Sequence, residues 1–488
     1  MRIRRRPEGR NGVVAVAWLG RLETKLYMRQ PEMRRLDDYY SGNHPLPFVT
    51  PAHQDKLRNE FRQLLEESRT NFMRLVVDVV EERMRVEGFR ESARSDITTD
   101  QRAWEIWQEN QMDSQSQVAI LEALVKSVSY LSVWKTPNVD MPTIAVEDAT
   151  QTIVGYETGS NFTRRAAALK IWQDDVLGER ANVYLPDGIY KFHRGAADGA
   201  TPATTTADEA TFGETTKGGA RRRSSGTPVV GWVEIPGSFV RNPIGEVPIV
   251  ALRNRLRLLL EGESEISDVT SVQNQINGFL FLLALAGYFG AHRQRWAVGA
   301  KLFSDEGARD GLDQIDTAID KLWATENEGA KFGDFEATDL AGYIKAIEQK
   351  VLHIAVMTRT PRHYLVEQGQ SPSGDAIKSA ESGLVKKVRR KMRPFGEGFE
   401  EAMRLARSFQ GLATPADSEI VWADPEIRTE AEITDAAIKR FQAGLTDRHQ
   451  ALEDMGYTQT QIARMLAQSS PVPSPVPAPE ADPEPVLA

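Results

Sequence analysis

The sequence predicts an α+β fold, on two observations. Between residues 57 and 131, and again between 338 and 409, apolar side chains recur at steps of three and four, the period of one helix face. Between 143 and 192, short runs rich in β-branched and aromatic residues are separated by turn signals, the pattern of an antiparallel sheet. The chain has 488 residues, 41% hydrophobic and 26% charged. That is enough for about two to four packed units.

Composition narrows the function. The chain has no Cys, which excludes disulfides, thiol catalysis and thiolate metal sites and fits a reducing compartment. Its formal net charge of -9 argues against a generally adhesive nucleic-acid binder. The start of the chain, Met1 to Arg6, is basic. The apolar run after it, Val13 to Leu19, is short and lacks a cleavage site, so no signal peptide is expected.

Residues 20 to 135 read as helical. Leu57, Phe61, Leu64 and Leu65 form one stripe; Phe72, Leu75, Val76 and Val79 form another that ends near Gly88. Trp104 and Trp107 sit three apart on a short helix. Leu121, Leu124, Val125, Val128 and Leu131 carry the helical pattern on to Pro137. Ser41 to Pro47 is a turn-rich loop. Strand-like runs follow at 143–146, 152–156, 168–172, 181–185 and 189–192, with Pro186, Asp187 and Gly188 as a turn. The sheet is interrupted by residues 195–227, almost wholly Ala, Thr, Gly, Ser and Arg. That composition buries too little apolar area to offset ordering entropy, so disorder is expected. Strand-like runs resume at 229–233 and 247–252.

Residues 263–292 read as one helix whose core, Gly278 to Ala291, is apolar all round. A spanning helix needs about 20 apolar residues, so cover by protein is expected, and a second subunit is a natural cover. A small mixed module is expected over 296–337. Next come a helix striped with Leu340, Ile344, Ile347, Val351 and Ile354, with Asp339 as its N-cap, and a stop at Thr360 and Pro361. A polar Gly/Ser/Pro loop follows, and then a long helix opened by Asp375. One strand at 419–422 and three short helices near 429–443, 447–455 and 459–467 complete the fold, with Thr446 and Thr458 as expected caps. The Pro-rich end, from Pro471, reads as a disordered tail.

No constellation carries chemistry. Gly369 to Gly374 has the glycine spacing of a phosphate loop, but Asp375 and Ala376 stand where that loop needs Lys and Ser/Thr. His292, His353 and His363 lack metal spacing and read as structural. No Gly-x-Ser-x-Gly elbow occurs. No catalytic residue, cofactor or metal is therefore assigned. Lys386, Lys387, Arg389, Arg390, Lys391 and Arg393 form a cationic run. It reads as a solvated or inter-subunit face, or as a contact to a phosphate backbone. Arg221 to Arg223 reads as a solvated run. Residues 446–466 look like a helix-turn-helix offering Gln459, Gln461 and Arg464, but with little positive charge around them.

Taken in order, several segments resemble the portal proteins of long-tailed double-stranded DNA phages of actinobacterial hosts. They are Tyr39 to His44, Asn71 to Phe89, Val247 to Val250, Glu261 to Asp268, Asp339 to Pro361, Ser373 to Lys378, and Val421 to Pro425. The resemblance covers nearly the whole chain except 195–227. It implies a homo-oligomeric ring, normally of twelve copies, that carries DNA non-specifically through its channel. Its parts would be an N-terminal helical and β wing (1–262), stem helices (263–292 and 338–360) and a clip (293–337). The remainder would be a tunnel loop (361–374), a long helix returning to the wing (375–425) and a helical crown (426–470). Glu367, Gln368, Gly369, Gln370, Ser371, Pro372 and Ser373 would face DNA. Lys301, Phe303, Asp313, Asp316, Asp320, Lys321 and Trp323, in the clip, would dock the terminase large subunit and then the head–tail adaptor. Major capsid and scaffold proteins would be further partners, with the portal vertex of the virion, and the host cytoplasm during assembly, as location. Two alternatives stand beside it: a DNA-binding regulator using 446–466, and a soluble enzyme with a mobile lid at 364–374.

Overall fold

The computed structural model describes residues 9–45, 59–90, 97–136, 139–174, 178–194, 231–258, 260–291, 295–298, 329, 331–334, 339–366, 374–412, 418–426 and 430–468. Leu57, residues 195–227, the 312–322 helix and the Pro-rich end lie outside them, so those expectations are untested.

Helix α1 (Gly9–Ser41) buries Ala15, Leu19, Leu22 and Leu26, one stripe at helical spacing. Helices α2 (Asn59–Glu67) and α3 (Phe72–Glu81) follow. Asn71 caps α3: its side-chain oxygen accepts from the Met73 amide at 2.9 Å while its amide donates to the Tyr40 carbonyl. The apolar pattern predicts a helix running on toward Gly88, yet α3 stops at Glu81 and Val86–Arg90 is strand β1. The short run Val86 to Phe89 is compatible with either period, and pairing decides between them. Helices α4 (Ile97–Glu109) and α5 (Met112–Lys126) complete this layer. Trp104 and Trp107 stack at 6.1 Å on α4.

The second departure is at 128–134. The stripe predicts helix to Pro137, but Ser127 takes a left-handed φ of 76° and ends α5, and Val128–Trp134 is strand β2. Five of its seven residues are buried, on both faces, so no alternation betrays the strand. Then come β3 (Thr143–Glu147), β4 (Thr152–Tyr156), β5 (Arg165–Asp174), β6 (Gly178–Leu185) and β7 (Gly188–Arg194), as the sequence predicts. Two short strands, β8 (Val233–Glu234) and β9 (Val240–Arg241), both pair with β7. Strands β4 to β9 form one antiparallel sheet covered by α1. Strand β10 (Ile249–Arg253) does not resume that sheet. It pairs with β2, and β2 with β3, in a separate three-stranded sheet.

The long apolar helix α6 (Thr270–Ala291) begins at 270, not 263. Residues 262–269 are instead a loop whose Ser264, Glu265 and Ile266 are buried. A ribbon of β11 (Arg295–Val298) and β12 (Lys331–Asp334) leads to helix α7 (Ala341–Thr358), which packs on α6. The Asp339 carboxylate accepts from the Ala341 amide at 2.9 Å, close to the expected cap. Helix α8 (Gly374–Phe409) is the centre of the main core. Its Leu384, Val388, Phe395, Phe399 and Met403 pack with residues of α3, α4 and α5. Phe399 meets the buried Trp107 ring edge-on at 5.6 Å. Strand β13 (Glu419–Trp422) returns to pair with β1.

Three helices end the described chain: α9 (Glu430–Gln442), α10 (Arg448–Asp454) and α11 (Gln459–Gln468). Thr458 caps α11 in a reciprocal pair with Gln461, as expected. Thr446 does not cap α10. Asp447 does, accepting from the Gln450 amide at 2.7 Å. Asp447→Ala is expected to cost about 1 kcal/mol locally and to speed hydrogen exchange of the α10 amides about fivefold; unchanged exchange would show that the cap contributes nothing.

Candidate functional site

The cationic run on α8 divides by helix face. Lys386, Arg389, Arg390 and Arg393 are exposed, whereas Lys387 and Lys391 are buried. The buried pair points into the chain and shares one carboxylate, that of fully buried Glu265. Lys391 Nζ lies 2.6 Å from Glu265 Oε2, and Lys387 Nζ contacts Oε1. Arg255 approaches Oε1 at 3.4 Å. Lys387 also donates to the Thr358 carbonyl at 2.6 Å, and Lys391 donates to Asn254 Oδ1. The expectation of a solvent-, DNA- or subunit-facing role thus fails for Lys387 and Lys391. An ammonium group buried against an internal carboxylate is not free to meet phosphate.

This cluster ties four segments together. The Glu265 amide donates to the Leu124 carbonyl at the end of α5 at 2.9 Å, and the Asn254 amide donates to the Ser127 carbonyl. Thr358 ends α7, and the two lysines lie on α8. Burial alone would push the Glu265 carboxyl up. Lys391, Lys387 and Arg255 outweigh that and hold it at about 2. Burial lowers Lys391 to about 8 despite the carboxylate, because one anion serves two ammonium groups.

Above the cluster opens a cleft of about 690 Å³. Arg255, Arg257, Arg359, Arg390 and Arg393 line it, together with Met357 and the carboxylates of Glu263 and Asp268. Arg255 and Arg359 have left-handed φ values of 51° and 58°, a conformation costing a non-glycine residue about 1 kcal/mol. Arg255 pairs with Glu265 and with Asp268 at 3.3 Å. Among the described residues, no ion pair engages Arg257, Arg359, Arg390 or Arg393. Arg389, outside the cleft, is held by Asp424 at 3.0 Å and Glu426 at 3.6 Å. The arrangement can bind an anion; it places no general base beside a nucleophile.

The helices next to the cleft have two unlike halves. The first half of α6 is locked by buried polar groups. Gln273 donates to the Thr70 carbonyl at 2.8 Å and accepts from the Phe72 amide, while Asn277 contacts His44. Burial, then the Arg69 charge, lowers the His44 pKa to about 4, so the ring is neutral. The second half, from Phe279 onward, is half-buried over 279–287 and exposed at Tyr288. On α7, Val356 is 77% exposed and Ile344 and Met357 are each 49% exposed. No helix of the described residues is long and apolar enough to cross a membrane.

Across the base of the polar loop, buried Glu381 on α8 gathers Arg83 at 3.3 Å, the Tyr364 hydroxyl at 2.9 Å and His363 at 3.5 Å. Glu367 to Ser373 lie outside the described residues, as do Lys301, Phe303, Asp313, Asp316, Asp320, Lys321 and Trp323 of the clip. Among the described residues, no cluster of three or more His, Asp or Glu is placed to hold a metal. Of the side chains offered by the helix-turn-helix reading, Gln461 and Arg464 are exposed, while neighbouring polar groups are engaged within the chain. Gln450 and Glu453 hold Arg90 at 2.7 and 3.1 Å, Gln461 caps α11, and Asp454 pairs with Arg440.

Sequence reasoning missed Glu265, Asn254, Arg255, Arg257 and Arg359. The run Arg253 to Arg257 alternates cation and neutral residue and could have been singled out. Nothing local marks Glu265 off from its acidic neighbours Glu261 and Glu263.

The comparisons with known proteins point one way. A family model described as phage portal protein, SPP1 Gp6-like, matches residues 19–470. The portal protein of Mycobacterium phage D29 is 30% identical over 410 residues, covering 79% of this chain and 76% of that protein. The portal protein of Mycobacterium phage L5 is 31% identical over 420 residues, covering 82% and 78%. A family model over residues 19–470 and two portal proteins about 30% identical over most of the chain lead to one conclusion: this chain belongs to the SPP1 Gp6-like family of phage portal proteins.

Proposed function

We propose that the chain assembles into a closed ring, of about twelve copies, that forms the channel for double-stranded DNA at one capsid vertex. The observation that carries this is the α6–α7 pair. The chain leaves the apolar side chains of the second half of α6, and Ile344, Val356 and Met357 of α7, only part-covered, and an exposed apolar face of this kind is covered by a partner. A neighbouring copy related by rotation supplies that cover. In this reading α6 and α7 are stem helices, and the β11–β12 ribbon is the base of the clip. The clip residues Lys301, Phe303, Asp313, Asp316, Asp320, Lys321 and Trp323 dock the terminase large subunit and later the head–tail adaptor. Glu367 to Ser373 form the tunnel loop facing DNA. Capsid and scaffold proteins contact the rim, and assembly takes place in the host cytoplasm.

Electrostatics support the channel. At a net charge of -9 per copy, twelve copies sum to on the order of -100. A predominantly acidic wall repels phosphate and lets DNA slide. Electron microscopy of the purified chain, with light scattering for mass, tests the reading. Rings of about twelve times 54.5 kDa with a central hole are expected. A chain that stays monomeric at all concentrations, even with its scaffold present, overturns it. Deleting Gly369 to Ser373 is expected to leave the ring intact and to reduce packaged DNA. Unchanged packaging overturns the assignment of that loop alone.

A further inference from the structure

The arginine cleft is not accounted for by a DNA channel. Four guanidinium groups, of Arg257, Arg359, Arg390 and Arg393, converge on it from three segments; Glu263 and Asp268 also line it, but among the described residues neither forms an ion pair with any of the four. The cations of the lining outnumber Glu263 and Asp268, so the cleft of the isolated chain keeps an excess of positive charge. The cleft also runs into an apolar surface. Met357 lines it, and Val356 beside it is the most exposed large apolar residue of α7. Arginine next to exposed aliphatic surface is the make-up of a protein interface. A phosphate backbone has no use for the apolar part.

The same chain carries a matching excess of acid elsewhere. Asp78, Glu81 and Glu82 lie at the end of α3, and among the described residues no cation pairs with Glu81 or Glu82. Burial, and then Asp78 and Glu82, push the Glu81 carboxyl up. Arg83, next along the chain, reaches Glu381 on α8 at 3.3 Å. Arg390 and Arg393 are nine and twelve residues beyond Glu381. At about 100° per residue they lie roughly 180° and 120° around α8 from it. The acidic end of α3 and the arginine cleft thus sit on opposite sides of one helix. Two unlike, complementary patches on opposite sides make a head-to-tail contact, the type that closes rings.

We infer that the cleft is a socket for a second copy of this chain, which contributes the carboxylates of Glu81 and Glu82 to Arg390, Arg393, Arg257 and Arg359. The assignment rests on the ring reading above and adds to it the residues that set the contact. It also gives the buried Glu265 cluster a purpose: it holds the three arginine-bearing segments in register.

Charge swaps in the full-length protein test it. Arg390→Glu with Arg393→Glu is expected to raise the dissociation constant of the assembly about a hundredfold or more. Glu81→Lys with Glu82→Lys is expected to do the same. The fourfold swap is expected to restore assembly to within about tenfold of wild type. Because Glu82, Arg390 and Arg393 are exposed and Glu81 is half-buried with no cation partner among the described residues, each variant monomer should keep a melting temperature close to that of wild type. A double arginine variant that assembles with unchanged mass and salt resistance overturns the assignment. So does one that assembles normally but loses retention of a 30-base-pair DNA duplex, since the cleft then belongs to phosphate. Failure of the fourfold swap, with both doubles impaired and folded, overturns the choice of Glu81 and Glu82. A wild-type chain that never assembles overturns the ring reading itself, an outcome distinct from all of these.

Discussion

Glu265→Gln lowers the stability of the folded chain by about 3–5 kcal/mol, the cost of stranding buried charge. The carboxylate is fully buried and serves Lys387, Lys391 and Arg255. The amide keeps the volume and removes the charge, so two ammonium groups remain in the interior with only Asn254 and the Thr358 carbonyl as partners. Denaturant titration at matched protein concentration measures it. The decisive comparison adds Lys387→Met and Lys391→Met to the glutamine variant. Removing the stranded cations should recover most of the loss, as replacing a whole buried ionic group often does. A glutamine variant within about 0.5 kcal/mol of wild type would show that water reaches the cluster and that it holds nothing together.

The same cluster sets a pH dependence. The folded carboxyl titrates at about 2, against a usual 4.5. Between those values the unfolded chain binds the proton and the folded chain does not. The stabilisation is therefore complete above pH 4.5 and is lost as pH falls toward 2, on the order of 3 kcal/mol in all. Lys391 acts at the other end. Its folded value of about 8 lies below the usual 10.5, so the unfolded chain binds more protons between those values and stability rises with pH across that window. The triple variant lacks both windows, and an unaltered difference between its acid limb and that of wild type would refute the assignment.

Gly262→Ala is the second large effect. A Cβ at this position would lie 2.3 Å from the Ser127 carbonyl oxygen and 3.2 Å from that of Asn254. Both obstacles are backbone, so neither can rotate away. The Ser127 carbonyl already accepts from the Asn254 amide, and Ser127 itself is in the left-handed region. Relief requires the 262–265 loop to move off the end of α5, which breaks the Glu265-to-Leu124 hydrogen bond and shifts the shared carboxylate. A loss of about 2–4 kcal/mol is expected. Gly237→Ala is a useful control for backbone conformation: its Cβ would meet nothing within 4 Å, although its φ is 70°. A Gly262→Ala chain no less stable than this control would mean that the loop gives way freely.

The strands of the larger sheet were legible because short runs rich in β-branched and aromatic residues are set off by turn residues, and antiparallel pairing joins those same runs. The helices α3, α7, α8 and α9 to α11 were legible from period and caps. Residues 128–134 were not, because they continue the apolar spacing of α5 with no Gly or Pro between, and a strand buried on both faces has no alternation to set against that period. Family membership was also legible, through an ordered set of segments rather than a single motif.

The candidate site divides along the same line. By itself the sequence determined that this is an α+β chain without a catalytic constellation, carrying a cationic run on a long helix. Those properties depend on period, composition and local spacing, which neighbouring residues settle among themselves. Only the tertiary structure decided that Lys387 and Lys391 are interior, that Arg390 and Arg393 share a cleft with Arg257 and Arg359, and that Glu265 holds the segments together. Glu265 lies more than a hundred residues from its lysines. A pairing at that separation exists only after α5, α7 and α8 have packed, because burial, not sequence distance, strengthens the attraction enough to fix it.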